Sequence, residues 1–354
     1  MTGLRGLTVL MIAPEPWSHN FLSKHHYALA LTQRDNRVFY LNPPGEKSQV
    51  VEVVPGIFVV DYKPGLRGIN HLPKGLSLRF QRKDAQRLLN MIGRPVDLLW
   101  SFDPYRFQEL KVFGSKNVWY YAADWHRNKR LDCRTADSAD HLFSPAQVIL
   151  DGIDTRTPKT KINHGVADYF LKPVTPEALP GKQSIKAVYV GNLGSKLLDT
   201  DLLIEVVKKN FRTDFIFVGE PEGNVYNELR ELGHVYFIGR KSNDRIPGYL
   251  AAADLLWLCY DTIRFRREAS NSHKVMEYLA SGRAVVSTRL EEYADREDLL
   301  LMPPNPKDYP AFFGGVVDDL ATHNQTINQQ YRRNFAAANT YSGHLDQLEK
   351  MLSA

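Results

Sequence analysis

The chain has 354 residues, 43% of them hydrophobic, which is enough for two domains with cores of their own and too much for a single compact one. Its two cysteines, Cys133 and Cys259, lie far apart, with spacing that suits neither a disulfide framework nor a thiolate metal site, and they read as reduced thiols. No stretch reaches the roughly 20 apolar residues that cross a bilayer, so the net charge of +5 belongs to a protein expected in the cytoplasm, at most peripheral on the cytoplasmic face of a membrane.

In chain order, the first apolar run stops at Pro14-Glu15-Pro16, too soon for a signal sequence, and reads as a buried strand over 8–13. A helical pattern over 21–32 follows, then strand-like runs at 38–41 and 57–62. The segment 63–94 is strongly basic: Lys63, Arg67, Lys74, Arg79, Arg82, Lys83, Arg87 and Arg94 face only Asp84. Residues 1–172 hold 24 Lys and Arg against 16 Asp and Glu, a net +8, and the remainder carries −3. Apolar residues interleave the basic ones over a helical pattern at 76–92, so this element suits an anionic membrane surface as well as a solvated helix face. No nucleic-acid motif accompanies the charge, and no nucleic acid is expected as a partner. Strands at 98–102 and 118–122 complete an alternating pattern that argues for a parallel sheet.

Three prolines and a glycine over 171–184 read as a linker. The pattern then restarts with strands at 187–190, 215–218, 235–238, 255–258, 284–287 and 299–302, and helices at 201–210, 225–232 and 246–252. A helical segment over 328–352 closes the chain.

Open parallel sheets bind ligands beyond the carboxyl ends of their strands. In the second half those positions are Gly191-Asn192, Gly219-Glu220-Pro221, Gly239-Arg240, Tyr260-Asp261 and Thr288-Arg289, three of which begin with glycine. No G-x-G-x-x-G follows a strand and no G-x-x-x-x-G-K-[ST] is present, which argues against a nicotinamide enzyme and a P-loop enzyme. The run SNSHKVMEYLASGRAVVST, 270–288, opens a helix with Lys274, where a cation meets the positive end of the helix dipole. A bound diphosphate reverses that penalty, because helix N-termini hold anions. Ser270, Asn271 and Ser272 can cap the helix or donate to phosphate. Glu277 follows one turn on, where a carboxylate can accept both hydroxyls of a ribose; the alternative is a local Lys–Glu pair, in the poorer order.

The stretch HKVMEYLASGRAVVST resembles the nucleotide-sugar signature of GT-B glycosyltransferases, in which a Lys and a Glu precede YLA-x-G-x-x-VV. HVYFIGRKSNDRIPGYLAAADLLWLCYD is similar to the lead-in to that signature, INHGVADYF to the junction between domains, and VYVGNLG to the first strand and turn of the donor domain. The four motifs stand in the family's order over roughly residues 117–305, and their flavour is nearest to bacterial glucuronosyltransferase-like enzymes of exopolysaccharide and teichuronic acid synthesis. The resemblance implies an α/β fold of two doubly wound Rossmann-like domains facing across a cleft. It places an acceptor-binding domain over 1–170 and a donor-binding domain over 184–329, with a last helix, about 330–354, able to pack back on the first.

It further implies that Lys274 contacts the diphosphate of a nucleotide sugar, UDP by preference, and that Glu277 holds the ribose. Gly191, Asn192 and Gly219 would line the phosphate side, Ser272 and His273 would join the same donor set, and Arg240 would lie near the base. Two departures stand out. The Glu-x7-Glu pattern of retaining members would need a glutamate at Ala269, with Glu268 one residue off. Asn192 also stands where Arg is common, with Lys196 only a candidate replacement.

On the acceptor side, VWYYAADWHRN places Asp124 and His126 after a strand, where a base can take the acceptor proton in an inverting displacement. His25 and His26 open the first helix and are candidates to contact acceptor or phosphate. Asp199-Thr200-Asp201 matches the Asp-x-Asp metal pattern of the other large glycosyltransferase fold, but it opens a helix and reads as a cap, so no metal and no cofactor are expected. The expected function is sugar transfer to a glycan or lipid-linked acceptor in bacterial surface polysaccharide synthesis. A nucleotide-sugar epimerase of the same architecture and a non-catalytic nucleotide-sugar-binding protein remain open on sequence alone.

Overall fold

The computed structural model describes residues 3–353 apart from 20 and 127, and the side chains of these except 70, 352 and 353. Ala354, the end of the expected last helix, lies outside them. Two compact units emerge: residues 1–163 with 341–354, and residues 164–340.

The first unit is built on an eight-stranded sheet of β1 (Thr8–Ile12), β2 (Arg37–Leu41), β3 (Gln49–Val54), β4 (Ile57–Asp61), β5 (Leu98–Ser101), β6 (Asn117–Tyr121), β7 (His141–Ser144) and β8 (Lys159–Lys161). Their order is β3-β4-β2-β1-β5-β6-β7-β8, parallel except where β3 runs antiparallel to β4. The central strands are apolar runs buried throughout, as helices on both faces require: β1 is TVLMI and β5 is LLWS. β3 has no such signal. It is an edge strand with Val51 and Val53 exposed, and the sequence pattern passed over it together with short β7 and β8.

The helices are α1 (Ser23–Thr32), α2 (Lys74–Ile92), α3 (Lys129–Asp137) and α4 (Gln147–Asp151). α2 buries Asp84, which accepts from the Gly65 amide, together with Ala85 and Leu88, and leaves Lys74, Arg79, Arg82, Lys83 and Arg87 in solvent.

The second unit carries a five-stranded parallel sheet of β9 (Ile185–Val190), β10 (Thr213–Val218), β11 (Val235–Phe237), β12 (Leu255–Leu258) and β13 (Ala284–Ser287), in the order β11-β10-β9-β12-β13. The expected sixth strand at 299–302 is reduced to one parallel bridge, Val286 to Leu301. Its helices are α5 (Thr200–Lys209), α6 (Gly223–Leu229), α7 (Ile246–Ala252), α8 (His273–Ser281), α9 (Tyr309–Asp318), α10 (Leu320–His323) and α11 (Thr326–Ala337). Trp257 on β12, fully buried, packs edge-on against Phe215 and Phe313 at ring distances of 5.3 and 5.6 Å.

Two boundaries differ from the sequence reading. The chain enters the second unit at His164, so the proline-rich segment 171–184 belongs to that unit, where Glu177 clamps Arg245 through two hydrogen bonds of 2.9 and 2.7 Å. The expected helix over 328–352 is two helices. α11 stops at Ala337, where the Asn339 side chain caps Phe335 O, and α12 (Tyr341–Ser353) packs on α1 in the first unit. That docking is specific: Arg34 on the turn after α1 bonds Asp346 and Glu349, and Tyr27 bonds Nδ1 of His344 at 2.9 Å.

Candidate active site

In the second unit, the ends of β9, β10 and β12 converge on the start of α8. Gly191, just after β9, has φ +153°, and a Cβ there would stand 2.6 Å from Cε of Lys274 and 3.1 Å from the Tyr189 hydroxyl. The Lys274 side chain therefore lies across the glycine's bare face. Gly219, after β10, abuts the carbonyl of Gly191 so closely that no side chain fits. The glycines are not merely turn residues: Gly191 makes room for Lys274, and Gly219 lets the two strand-end turns close on each other.

Lys274 donates to the Tyr260 hydroxyl at 3.3 Å, and that hydroxyl also meets Ser272 Oγ at 3.0 Å. Among the described residues Lys274 and Glu277 form no contact ion pair, although each acts on the other's charge. Burial works against the Lys274 charge, and the oxygens of Tyr260, Tyr189 and Glu277 outweigh it, holding the ammonium above its ordinary value.

Ser272 occupies the N-cap position of α8, yet its side chain makes no cap, and Ser270 Oγ is turned to Arg267 O at 2.8 Å. Neither serine is seen capping α8, and a helix start is a place suited to an anion. Glu277, half-buried, is pushed up to about 7 by burial, with Lys274 opposing. It also lines a cavity of about 280 Å³ with Pro247 and Leu250 of α7, Ala280 and Ser281 of α8, Arg333 of α11 and the segment 170–174. Arg240 is exposed after β11 and is not among the cavity's lining residues; Asn192 is exposed, its Oδ1 held by the Gly194 amide at 2.7 Å. His273 stands beside His164 at a ring distance of 6.2 Å. Ala269, eight residues before Glu277, is buried, and no carboxylate occupies the first position of the Glu-x7-Glu pattern. Asp199 caps α5, accepting from the Leu202 amide at 3.0 Å.

In the first unit the strand ends carry charge. Asp124 is exposed after β6. His126 follows it, with Nδ1 2.8 Å from Oδ1 of Asp132 in the first turn of α3. Nearby, Arg106 bonds Asp103 at 2.6 Å, Asn42 O at 2.6 Å and Ala13 O, tying together the ends of β1, β2 and β5. Lys24, buried on α1, is ion-paired with Glu15 after β1. Burial lowers it to about 8, against the pull of Asp124 and Asp103, with Arg106 adding to the lowering.

None of Lys24, Glu15, Asp103, Arg106 and Asp132 was found from sequence. The one available signal was that Lys24 directly precedes the two histidines picked out there.

Those histidines are corrected by the structure. His25 is fully buried: Nδ1 accepts the Leu22 amide at 3.0 Å, capping α1, and Nε2 meets Pro16 O at 3.2 Å and the Tyr40 hydroxyl at 3.0 Å. Burial lowers it to about 4. His26 stacks on Tyr341 of α12 at 4.9 Å and is likewise lowered to about 4 by burial. Both are neutral packing groups rather than acceptor contacts.

Residues 184–318 match the family model described as glycosyl transferases group 1. No curated protein matches the chain in sequence. Among solved structures, it is similar to a sucrose-phosphate synthase from Thermosynechococcus elongatus, at 13% identity and a TM-score of 0.74, covering 98% of each chain. It is similar to WaaG, a glycosyltransferase involved in lipopolysaccharide biosynthesis, at 13% identity and 0.65, covering 97% of this chain and 99% of the other. A third is the E. coli trehalose-6-phosphate structure bound with UDP-2-fluoro glucose, at 12% identity and 0.67, covering 98% of each. At such identities the structural likeness is one of fold.

Proposed function

We propose that this glycosyltransferase of the GT-B fold takes a sugar from a nucleoside diphosphate donor laid along α8 and passes it to a glycan or lipid-linked acceptor. The carrying observation is the Lys274 side chain, laid over the bare face of Gly191 at the start of α8. The donor's parts then follow the helix in order. The diphosphate meets Lys274 and the first amides, and the ribose meets Glu277 about 4.5 Å along the axis. The base enters the cavity that continues past Ala280 and Ser281. Asn192, Ser272 and His273 border the phosphates. When the sugar leaves, charge builds on the diphosphate, and Lys274 with the helix start stabilises it. UDP is the favoured carrier because a structure of this fold holds UDP-2-fluoro glucose.

The acceptor's proton is taken at the end of β6, where Asp124 and His126 stand; a base there suits an inverting displacement. In this reading no ion is needed at the diphosphate. Activity that falls on treatment with EDTA and returns with magnesium would remove that part.

The exposed cations of α2 fit peripheral attachment to the cytoplasmic face of an anionic membrane in surface polysaccharide synthesis. Lys74 and Arg87 have partners in Glu109 and Asp84, which leaves Arg79, Arg82 and Lys83 for lipid. No described helix is long and apolar enough to cross a membrane. Vesicles containing phosphatidylserine should carry the protein down on centrifugation at low salt and release it at high salt; protein left in the supernatant at low salt sinks this attachment.

Calorimetry with UDP and GDP tests the donor site. Lys274→Ala should weaken UDP binding about 10- to 100-fold, the worth of a lost charge-assisted contact. Unchanged affinity would overturn the phosphate assignment.

A further inference from the structure

His126 does not stand alone at the end of β6. Its Nδ1 is 2.8 Å from Oδ1 of Asp132, and the Tyr120 hydroxyl donates to the same oxygen at 2.6 Å. Asp132 is fully buried, and its other oxygen, Oδ2, makes no hydrogen bond and faces the Lys129 ammonium at 3.7 Å. Oδ1 already accepts from the Tyr120 hydroxyl, so it serves the ring nitrogen as an acceptor too. It therefore fixes the imidazole with its proton on Nδ1.

The ring is held from other sides as well. Tyr105 meets it edge-on at 5.4 Å. The neighbouring Trp125 is pressed against Gly152, where no side chain would fit, and its ring carries the Lys129 ammonium 3.4 Å from the centroid. The ring is partly exposed, and Nε2 has no partner among the described residues. Other charged groups in this region include Asp124 and Asp103, both of which act on Tyr105, with Arg106 paired to Asp103 and Lys24 acted on by both carboxylates.

We infer that Asp132 is a positioning residue: it locks the Nδ1–H tautomer of His126, with Tyr120 holding the carboxylate, so that the Nε2 lone pair is presented to the acceptor hydroxyl. The inference rests on the glycosyl-transfer reading and chooses between the two candidate bases there. As the acceptor oxygen bonds to the anomeric carbon, its proton passes to Nε2. The bond from that carbon to the diphosphate breaks, and its electron pair leaves with the diphosphate. Asp132 steadies the imidazolium formed and does not itself take the proton. Asp124, exposed two residues earlier, is left to bind the acceptor.

Two measurements on the full-length protein test this separately. Nitrogen NMR of the histidine rings at pH 8 should show His126 protonated on Nδ1 in the wild type. In Asp132→Asn and Asp132→Ala the Nε2–H form should dominate, and Tyr120→Phe should stay close to wild type. A wild-type His126 carrying its proton on Nε2, or a tautomer unmoved by both Asp132 variants, overturns the positioning role whatever the reaction is.

The second measurement is UDP release from UDP-glucose, with water as the acceptor. Asp132→Asn should lower kcat about 100-fold, in the range of lost general-base catalysis, with KM within about twofold. The acidic limb of its pH profile should move to lower pH, because a neighbouring negative charge has gone. An unchanged kcat and pH profile overturns the inference. If the tautomer behaves as expected while no nucleoside diphosphate sugar is turned over, the glycosyl-transfer reading fails and the His126–Asp132 geometry stands.

Discussion

The two sheets end in opposite ways. In the first unit the carboxyl ends of β1, β2, β5 and β6 are closed by side chains: Arg106 spans three strands, and Glu15, Lys24, Asp103 and Asp132 are charges drawn inward. In the second unit the ends of β9 and β10 are glycine backbone, and one lysine lies over the first of them. The first arrangement orients particular side chains and carries the cost of desolvating them. The second keeps backbone clear so that a phosphate can come close. On the proposed reading, one sheet moves a proton and the other holds an anion.

Acid should separate the units most strongly. His25, His26 and His344, all in the first unit, are lowered by burial to about 4, whereas an unfolded chain protonates them near 6.5. Between those values the unfolded state binds more protons, so stability is full above about 6.5 and falls as pH drops towards 4. Each histidine contributes a slope of roughly 1.4 kcal/mol per pH unit. Four of the five tryptophans, at 17, 100, 119 and 125, lie in the first unit, so urea melts followed by fluorescence at pH 7.5 and pH 5 read it directly. His344→Gln should flatten the dependence; no difference between the two pH values would contradict the buried neutral histidines.

Next in size is Arg106→Met. It leaves Asp103 buried with its charge unpaired and takes the Arg106 donor from two strand-end carbonyls, Asn42 O and Ala13 O, which costs about 3–5 kcal/mol. A thermal melt that barely moves would show that the strand ends of the first unit are not tied as described. The second unit should answer a substitution at its strand end through binding instead. Gly191→Ala pushes a methyl group against Lys274 Cε and should lower UDP affinity about tenfold, with a smaller loss of stability because a flexible lysine can yield. A variant that melts early yet binds normally would reverse the contrast.

Glu277 gives the smallest effect. Because it is raised to about 7, it gains charge between pH 6 and pH 8, and the charged form is the one that accepts from a ribose. Affinity for uridine should rise by less than about tenfold over that interval and become flat in Glu277→Gln. Uridine, which carries no phosphate, keeps the ligand's own ionisation out of the comparison.

How much could be read in advance follows from the range of each interaction. The buried parallel strands were legible from apolar runs bounded by turns, and Lys274 stood out because a lysine at a helix start breaks a local rule; that it lies over Gly191 did not show. β3 was not, since an edge strand with exposed valines shows no burial pattern. His25 was misread for the opposite reason. Its place at the opening of a helix suggested contact with acceptor or phosphate, and only Trp17 and Tyr40, brought against it at 5.5 and 5.2 Å, make it a core residue.

The sequence by itself determined the two α/β halves, the α8 motif and the strand ends at which chemistry was to be sought, because those depend on periodicity and on neighbours within a turn. The tertiary structure alone decided which charges meet. Arg106 reaches Asn42 and Ala13 across 64 and 93 residues, and α12 returns to cover Tyr27 from 317 residues away. Asp132 lies only six residues from His126, but they pair because α3 turns its first residues back to the end of β6. Periodicity states which face of an element is buried; it carries no record of what is packed against that face, and buried charge depends on that record.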